Sequence, residues 1–187
     1  MDALAADILE FWFGSSKESR SEWFRKDAAF DQAIRARYGP AVEAAIGGAY
    51  EAWTGETRGA LALILLLDQF TRNIFRDTPK AFAGDARALR VATAIVDAGN
   101  DRRLAPCERM FVYLPFEHAE DRAMQDRSIE LFTQLERDNP QMDQLQWAEK
   151  HAAIIRRFGR YPHRNAILGR ASTPEEIAFL TQPGSRF

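Results

Sequence analysis

The stretch Thr57-Arg58-Gly59-Ala60-Leu61-Ala62-Leu63-Ile64-Leu65-Leu66-Leu67-Asp68-Gln69-Phe70-Thr71-Arg72-Asn73-Ile74-Phe75 decides the fold. From Ala60 to Leu67 every residue is apolar. A helix that is apolar all round is buried around its circumference, so other elements must cover it on every side. The second half changes character. Asp68 and Arg72 stand four apart and share a face, and Gln69 and Asn73 form a neighbouring pair of the same spacing. A polar cluster at the end of a buried helix lies at the edge of the core, where clefts form. It reads either as a charged helix end, with Arg72 and Arg76 complementing the C-terminal dipole, or as part of a site.

Outward from this stretch, nearly every segment reads as helix, and none shows sustained strand alternation. Asp2 caps a helix that Gly14 ends, and a polar loop follows over residues 15–21. Gly39-Pro40 separates a helix over 27–38 from one over 40–53, which Gly47-Gly48 weakens. The quoted stretch supplies a long helix over 57–75, and another covers 82–98 before Gly99-Asn100. Pro106 opens a helix that Pro115 kinks or restarts and that carries on towards residue 126. Helices over 128–137, 142–158 and 162–168 follow. Thr173-Pro174-Glu175-Glu176 then opens the last one with a capping box and a first-turn proline. About nine helices joined by short loops make a single all-α domain over residues 1–187, as a bundle or as stacked antiparallel hairpins. No repeat of fixed period is visible.

A chain of 187 residues buries roughly 70% of its unfolded surface, enough for a self-sufficient core. A net charge of −2 argues against nucleic acid as a partner, which calls for a basic excess over one face. Cys107 is the only cysteine, so no intrachain disulfide forms and a cysteine-based zinc site is excluded. The N-terminal residues carry acids where a signal peptide needs basic ones, and the run from Ala60 to Leu67 is far short of the ~20 residues a membrane span needs. These features predict a cytoplasmic protein that does not enter the membrane. Neither a P-loop, a dinucleotide fingerprint nor a Gly-x-Ser-x-Gly nucleophile motif occurs, so no cofactor is expected. The sequence sets no oligomeric state.

Two further polar blocks carry candidate chemistry. In Leu114-Pro115-Phe116-Glu117-His118-Ala119-Glu120-Asp121, a continuous helix would place Glu117, Glu120 and Asp121 on one face. Those three carboxylates need a counter-charge: a metal, a cationic substrate or the protein's own arginines. The Glu-x-x-His pairs of a helical di-metal site are absent, so metal is the weakest of these and no metal site is assigned. Between Lys150 and Arg170 there are six basic side chains, two histidines and no acid. Within that run, Arg156-Arg157-Phe158-Gly159-Arg160-Tyr161-Pro162-His163-Arg164-Asn165 combines a Gly C-cap with a helix start at Pro162 whose N-cap, Tyr161, has no short acceptor. An uncapped start flanked by Arg160, His163 and Arg164 has the makings of an anion site. A carboxylate from the Glu117–Asp121 block could equally fill it.

Read together, Leu67-Asp68-Gln69-Phe70 with Arg72-Asn73, Pro79-Lys80-Ala81-Phe82, Glu108-Arg109-Met110-Phe111, Leu114-Pro115-Phe116-Glu117-His118 and Arg157-Phe158-Gly159-Arg160-Tyr161-Pro162-His163-Arg164-Asn165 resemble, in that order, the bacterial family known as domain of unknown function 924. Ile8-Leu9-Glu10-Phe11-Trp12-Phe13-Gly14 and Pro183-Gly184-Ser185 extend the resemblance over essentially the whole chain. It implies an all-α, tetratricopeptide-like superhelix and no established activity. Thr71 departs from the proline usual after Phe70, and Asp77 stands where a glycine is common.

The leading expectation is a helical protein that binds an anionic small molecule or a peptide end. Its ligand-binding candidates are Asp68, Arg72, Asn73, Arg160, His163, Arg164 and Asn165. The alternatives are an enzyme in which His118 or His163, oriented by Glu117, moves a proton on a phosphorylated or carboxylated metabolite, and a pure interaction scaffold.

Overall fold

The computed structural model describes residues 1–14 and 20–185, and among them every regular element is helical. Residues 15–19 of the expected polar loop lie outside this set. Helix α1 (Ala3–Phe13) starts where the Asp2 carboxylate accepts from the Leu4 and Ala5 amides, and it ends at Gly14 with φ 64°. Helix α2 (Ala28–Ile46) runs straight through Gly39 and Pro40, where a break is expected. An interior proline costs ~3 kcal/mol. Burying Ile34, Tyr38 and Val42 along one continuous face outweighs that, at roughly 1.5–3 kcal/mol per large side chain.

The long central helix is continuous but not uniform. Helix α3 (Thr57–Ile64) passes into a π-helical segment, Leu65–Phe70, and then into α4 (Thr71–Ile74). Ala60 to Leu67 are all essentially inaccessible. They are enclosed by α1, α2, α5 (Asp85–Asp97) and α6 (Pro106–His118). Trp12 joins the layers, with its ring centroid 5.3 Å from Phe70 and 5.4 Å from Phe111. The helix does continue past Thr71, whose hydroxyl donates to the Leu67 carbonyl at 2.8 Å. Asp77 has φ 59°, a left-handed conformation that glycine adopts without cost, which accounts physically for glycine being common there.

Helix α6 continues through Pro115 but stops at His118, not near residue 126 as the sequence suggests. The Asp121 carboxylate accepts from the Met124 amide at 3.0 Å and opens a new helix, α7 (Arg122–Asp138). Glu120 and Asp121 therefore fall in the break, and the expected single face of three carboxylates does not form. Helix α8 (Leu145–Phe158) packs back on α7 and α6, and Gly159 closes it at φ 72°. The helix expected from Pro162 is only a 3-10 turn, Pro162–Arg164. Helix α9 (Pro174–Leu180), opened by the Thr173/Glu176 capping box, docks on that turn.

Gly84 brings the start of α5 against the π segment. A Cβ at this position would stand 2.2 Å from the Leu67 carbonyl oxygen, which is backbone and cannot swing away. Gly84→Ala should lower stability by on the order of 1–3 kcal/mol, the range for overpacking a tight contact. Chemical denaturation reads this directly, and an unchanged midpoint would show that the approach is not tight.

Candidate functional site

Asp68 belongs to the π segment and is fully buried. Segments of this kind occur frequently at functional sites, where the extra residue in the turn frees backbone acceptors and re-aims side chains. Here the Asp68 carbonyl accepts from Nη1 of Arg72 at 2.7 Å. The Asp68 carboxylate meets the same Nη1 at 3.1 Å, Nδ1 of His118 at 2.7 Å and the Gln69 amide. Burial alone would raise its pKa, but Arg72, His118 and Gln69 together hold it well below the usual carboxylate range. Asp68 is thus ionised, and Nδ1 of His118 carries the proton between them. The histidine nitrogen left for a ligand is Nε2, on a side chain that is 15% exposed.

Arg72 also forms a two-point fork on Asp85 at the start of α5, with distances of 2.8 and 2.9 Å. Arg164 reaches the same carboxylate only through Nη1, at 3.5 Å. Its guanidinium carbon is 4.7 Å from the Phe82 ring centroid and 4.5 Å from that of Tyr161. The Arg164 side chain is 8% exposed, and among the described residues its buried Nε has no hydrogen-bond partner. Burial, reinforced by the Arg72 charge, lowers the Arg164 pKa. The result is an alternating chain of charges: Arg164, Asp85, Arg72, Asp68 and, at its end, His118.

Glu117 does not orient His118, as the sequence reading has it. It is buried and faces His151, with Nδ1 to Oε1 at 3.3 Å. The same Nδ1 lies 2.8 Å from the Trp147 carbonyl, which can only accept, so Nδ1 bears the hydrogen. Burial and the neighbouring Asp68 charge push Glu117 up to about 8. Burial pulls His151 down to about 3. Near neutral pH the two are uncharged neighbours and make no ion pair. Tyr161 donates its hydroxyl to the Glu117 carbonyl, and Gln125 bridges the Tyr161 oxygen and the Glu117 and Ala119 carbonyls at 3.0, 2.7 and 2.7 Å. These bonds hold the end of α6 in place.

The structure thus gathers Asp68, Arg72, Glu117, His118 and Arg164 at one place. His163 is next to them, its ring 5.5 Å from that of Tyr161. Other candidates lie apart. Asn73 donates to Asp31 at 2.7 Å, beside Arg76. Arg160 forms a fork on Glu176 at 2.7 and 2.8 Å, and Asn165 bonds Glu176 and Ser172 at 3.2 and 3.0 Å. Glu120 accepts from the Tyr161 amide at 2.7 Å and from Arg170 at 2.6 and 2.9 Å. Part of the basic run is therefore an internal clasp, closed largely by Glu176 and Glu120. Arg164 is outside it.

Asp85 and Gln125 do not emerge from sequence reasoning, and His151 emerges only as one of three histidines able to do acid–base work. Phe82 and Tyr161 do lie in the quoted motifs, but nothing in the sequence shows that they flank Arg164. Among the described residues no group of three or more His, Cys, Asp or Glu side chains is arranged to hold a metal. Two surface clefts, of about 220 and 450 Å³, lie elsewhere. Half-buried Arg87 and buried Arg109 line them and are engaged with Glu51 and Asp138 at 2.6 and 3.1 Å; Nη2 of Arg109 also has no partner among the described residues, but each of the two has a carboxylate of its own, whereas Arg164 shares Asp85 with Arg72.

Glu117 and His151 set opposite pH dependences. Glu117 loses its proton near 4.5 when unfolded but near 8 when folded, so the folded state binds more protons in between and stability falls as pH rises. His151 moves from 6.5 to about 3, so stability falls as pH drops through that interval. The two slopes cancel between 4.5 and 6.5, leaving Glu117 alone from 6.5 to about 8. There it contributes a loss of roughly 1.4 kcal/mol per pH unit. Glu117→Gln, a mimic of the neutral acid, should flatten that loss in denaturation curves taken at each pH. A slope as steep as the parent's would mean that Glu117 is already ionised.

Comparison with known proteins adds family but no activity. Residues 8–184 match the family model described as a bacterial protein of unknown function (DUF924). A solved structure of a protein of unknown function, ATU0120 from Agrobacterium tumefaciens, is 44% identical with a TM-score of 0.84. The alignment covers 95% of this chain and 97% of that one. No curated protein matches. The match over nearly the whole length places this chain in the bacterial family DUF924.

Proposed function

We propose that this is a cytoplasmic, tetratricopeptide-like helical protein that binds a small anionic molecule or peptide end beside Arg164. One observation carries the reading. Among the described residues, Arg164 holds a nearly buried guanidinium whose only acidic contact, at 3.5 Å, is a carboxylate already engaged at two points by Arg72, and its Nε has no partner. A buried cation is stable when paired, and a charged group left under-satisfied costs several kcal/mol. A ligand anion supplies what Asp85 does not. The sequence reading placed the anion at a helix N-terminus, but the three-residue Pro162 turn has no helix dipole to offer. The side chain of Arg164, not a helix terminus, is therefore what meets the anion.

A second reading has its own observation. Nδ1 of His118 is fixed on an ionised aspartate at 2.7 Å, which orients Nε2 as a proton acceptor. A bound anion could then be a substrate.

One panel tests both readings, with sodium acetate and inorganic phosphate as probes and amide chemical shifts as readout. The parent should show saturable shifts around Phe82 and Arg164. Arg164→Met should weaken binding at least about tenfold, the loss of one charged hydrogen-bonding group. Arg160→Ala should keep the affinity and lower stability, because it breaks a closed clasp. Equal binding in the Arg164 variant would overturn the proposal. His118→Gln should keep the affinity while removing any turnover found in a screen of anionic substrates. Activity surviving in that variant would exclude the histidine.

A further inference from the structure

We infer that the ligand's anionic group is a carboxylate, held edge-on by Nε and Nη2 of Arg164 in the slot between Phe82 and Tyr161. This rests on the anion-binding reading and deepens it to a chemical class.

The first argument is shape. Rings lie 4.7 and 4.5 Å from the Arg164 guanidinium carbon and crowd the side chain. What remains without a protein acceptor among the described residues is the buried edge at Nε. Nη1 is directed at Asp85, and Nε is unpartnered among the described residues, so the available edge is the Nε/Nη2 fork. Two parallel N–H groups in one plane match two coplanar oxygens, the fit that makes arginine–carboxylate pairs bidentate. A few ångströms away the protein uses that fit itself, where Arg72 grips Asp85 at 2.8 and 2.9 Å. A phosphate can also face the fork with two oxygens, but its other two project out of the plane, towards the rings.

The second argument is charge. Arg72 and Arg164 carry the positive charges, and Asp68 and Asp85 the negative ones. Glu117 keeps its proton up to about pH 8, and His151 stays neutral down to about 3. Asp85 is shared between the two arginines, so Arg164 lacks a counter-charge of its own. A monoanion supplies that one charge. A phosphate dianion brings a second negative charge into a partly buried setting, where it is costly.

The test compares sodium acetate and sodium succinate with inorganic phosphate at pH 7.5 and constant ionic strength, following amide shifts. Three proteins are needed: the parent, Arg164→Lys and Phe82→Leu, each checked by thermal melting. The parent should bind acetate at least about tenfold more tightly than phosphate. Arg164→Lys keeps the charge without the fork and should lose the preference. Phe82→Leu opens one side of the slot and should narrow the preference by improving phosphate affinity. If phosphate binds as well as acetate in the parent, the carboxylate inference fails and anion binding stands. If the preference survives in both variants, the slot is not its source and the inference fails. If no probe binds the parent, both readings fall.

Discussion

The ion pair between Asp68 and Arg72 is the constraint from which the rest of this site follows. A carboxylate with no solvent access, one turn beyond a helix apolar on all sides, must be neutralised where it stands. Desolvation is otherwise worth several kcal/mol against the fold. Arg72 answers from the same helix, and His118 answers from the end of α6. Each is then committed: Arg72 bridges to Asp85, and the histidine is held with Nε2 outward. The π segment, the close approach at Gly84 and the short helix α6 all serve this arrangement.

Much of the architecture was legible because hydrophobic period and capping residues report directly on local structure. The buried central helix, the caps at Asp2 and Thr173 and the stop at Gly159 appear where the sequence places them. Pro40 reads as a break and Pro115 as a kink or restart when only the local backbone is weighed, and both lie in helices whose buried faces run on either side of them. The end of α6 was hidden for the opposite reason. Glu120 and Asp121 look like one more turn of the same acidic face, yet Asp121 gains more by capping a new helix.

The site was legible in its members more than in its pairings. Three polar blocks supply Asp68, Arg72, Glu117, His118 and Arg164. Which acid meets which base depends on distances that sequence spacing does not encode across helices. Glu117 precedes His118 in the chain, but neighbouring residues on a helix point about 100° apart. The partner of His118 therefore comes from another helix, and Glu117 turns to His151. Glu176 settles the fate of Arg160 from residues away, in a helix recognised only for its capping box. That division leaves a clasp of closed pairs beside α9 and a nearly buried, under-paired Arg164, built from the same basic run.

The π segment also makes the count of residues at this point part of the chemistry. It accommodates one residue more than an ordinary helix would over the same length. A descendant that lost a single residue between Leu65 and Phe70 could heal into plain α-helix and keep the core almost unchanged. Side chains beyond the deletion would keep their facing, because the segment holds its extra residue within the same length. The change would fall inside the segment, on the turn that carries Asp68. The apolar half of the helix tolerates exchange of one hydrocarbon for another, but the polar half depends on that one extra residue.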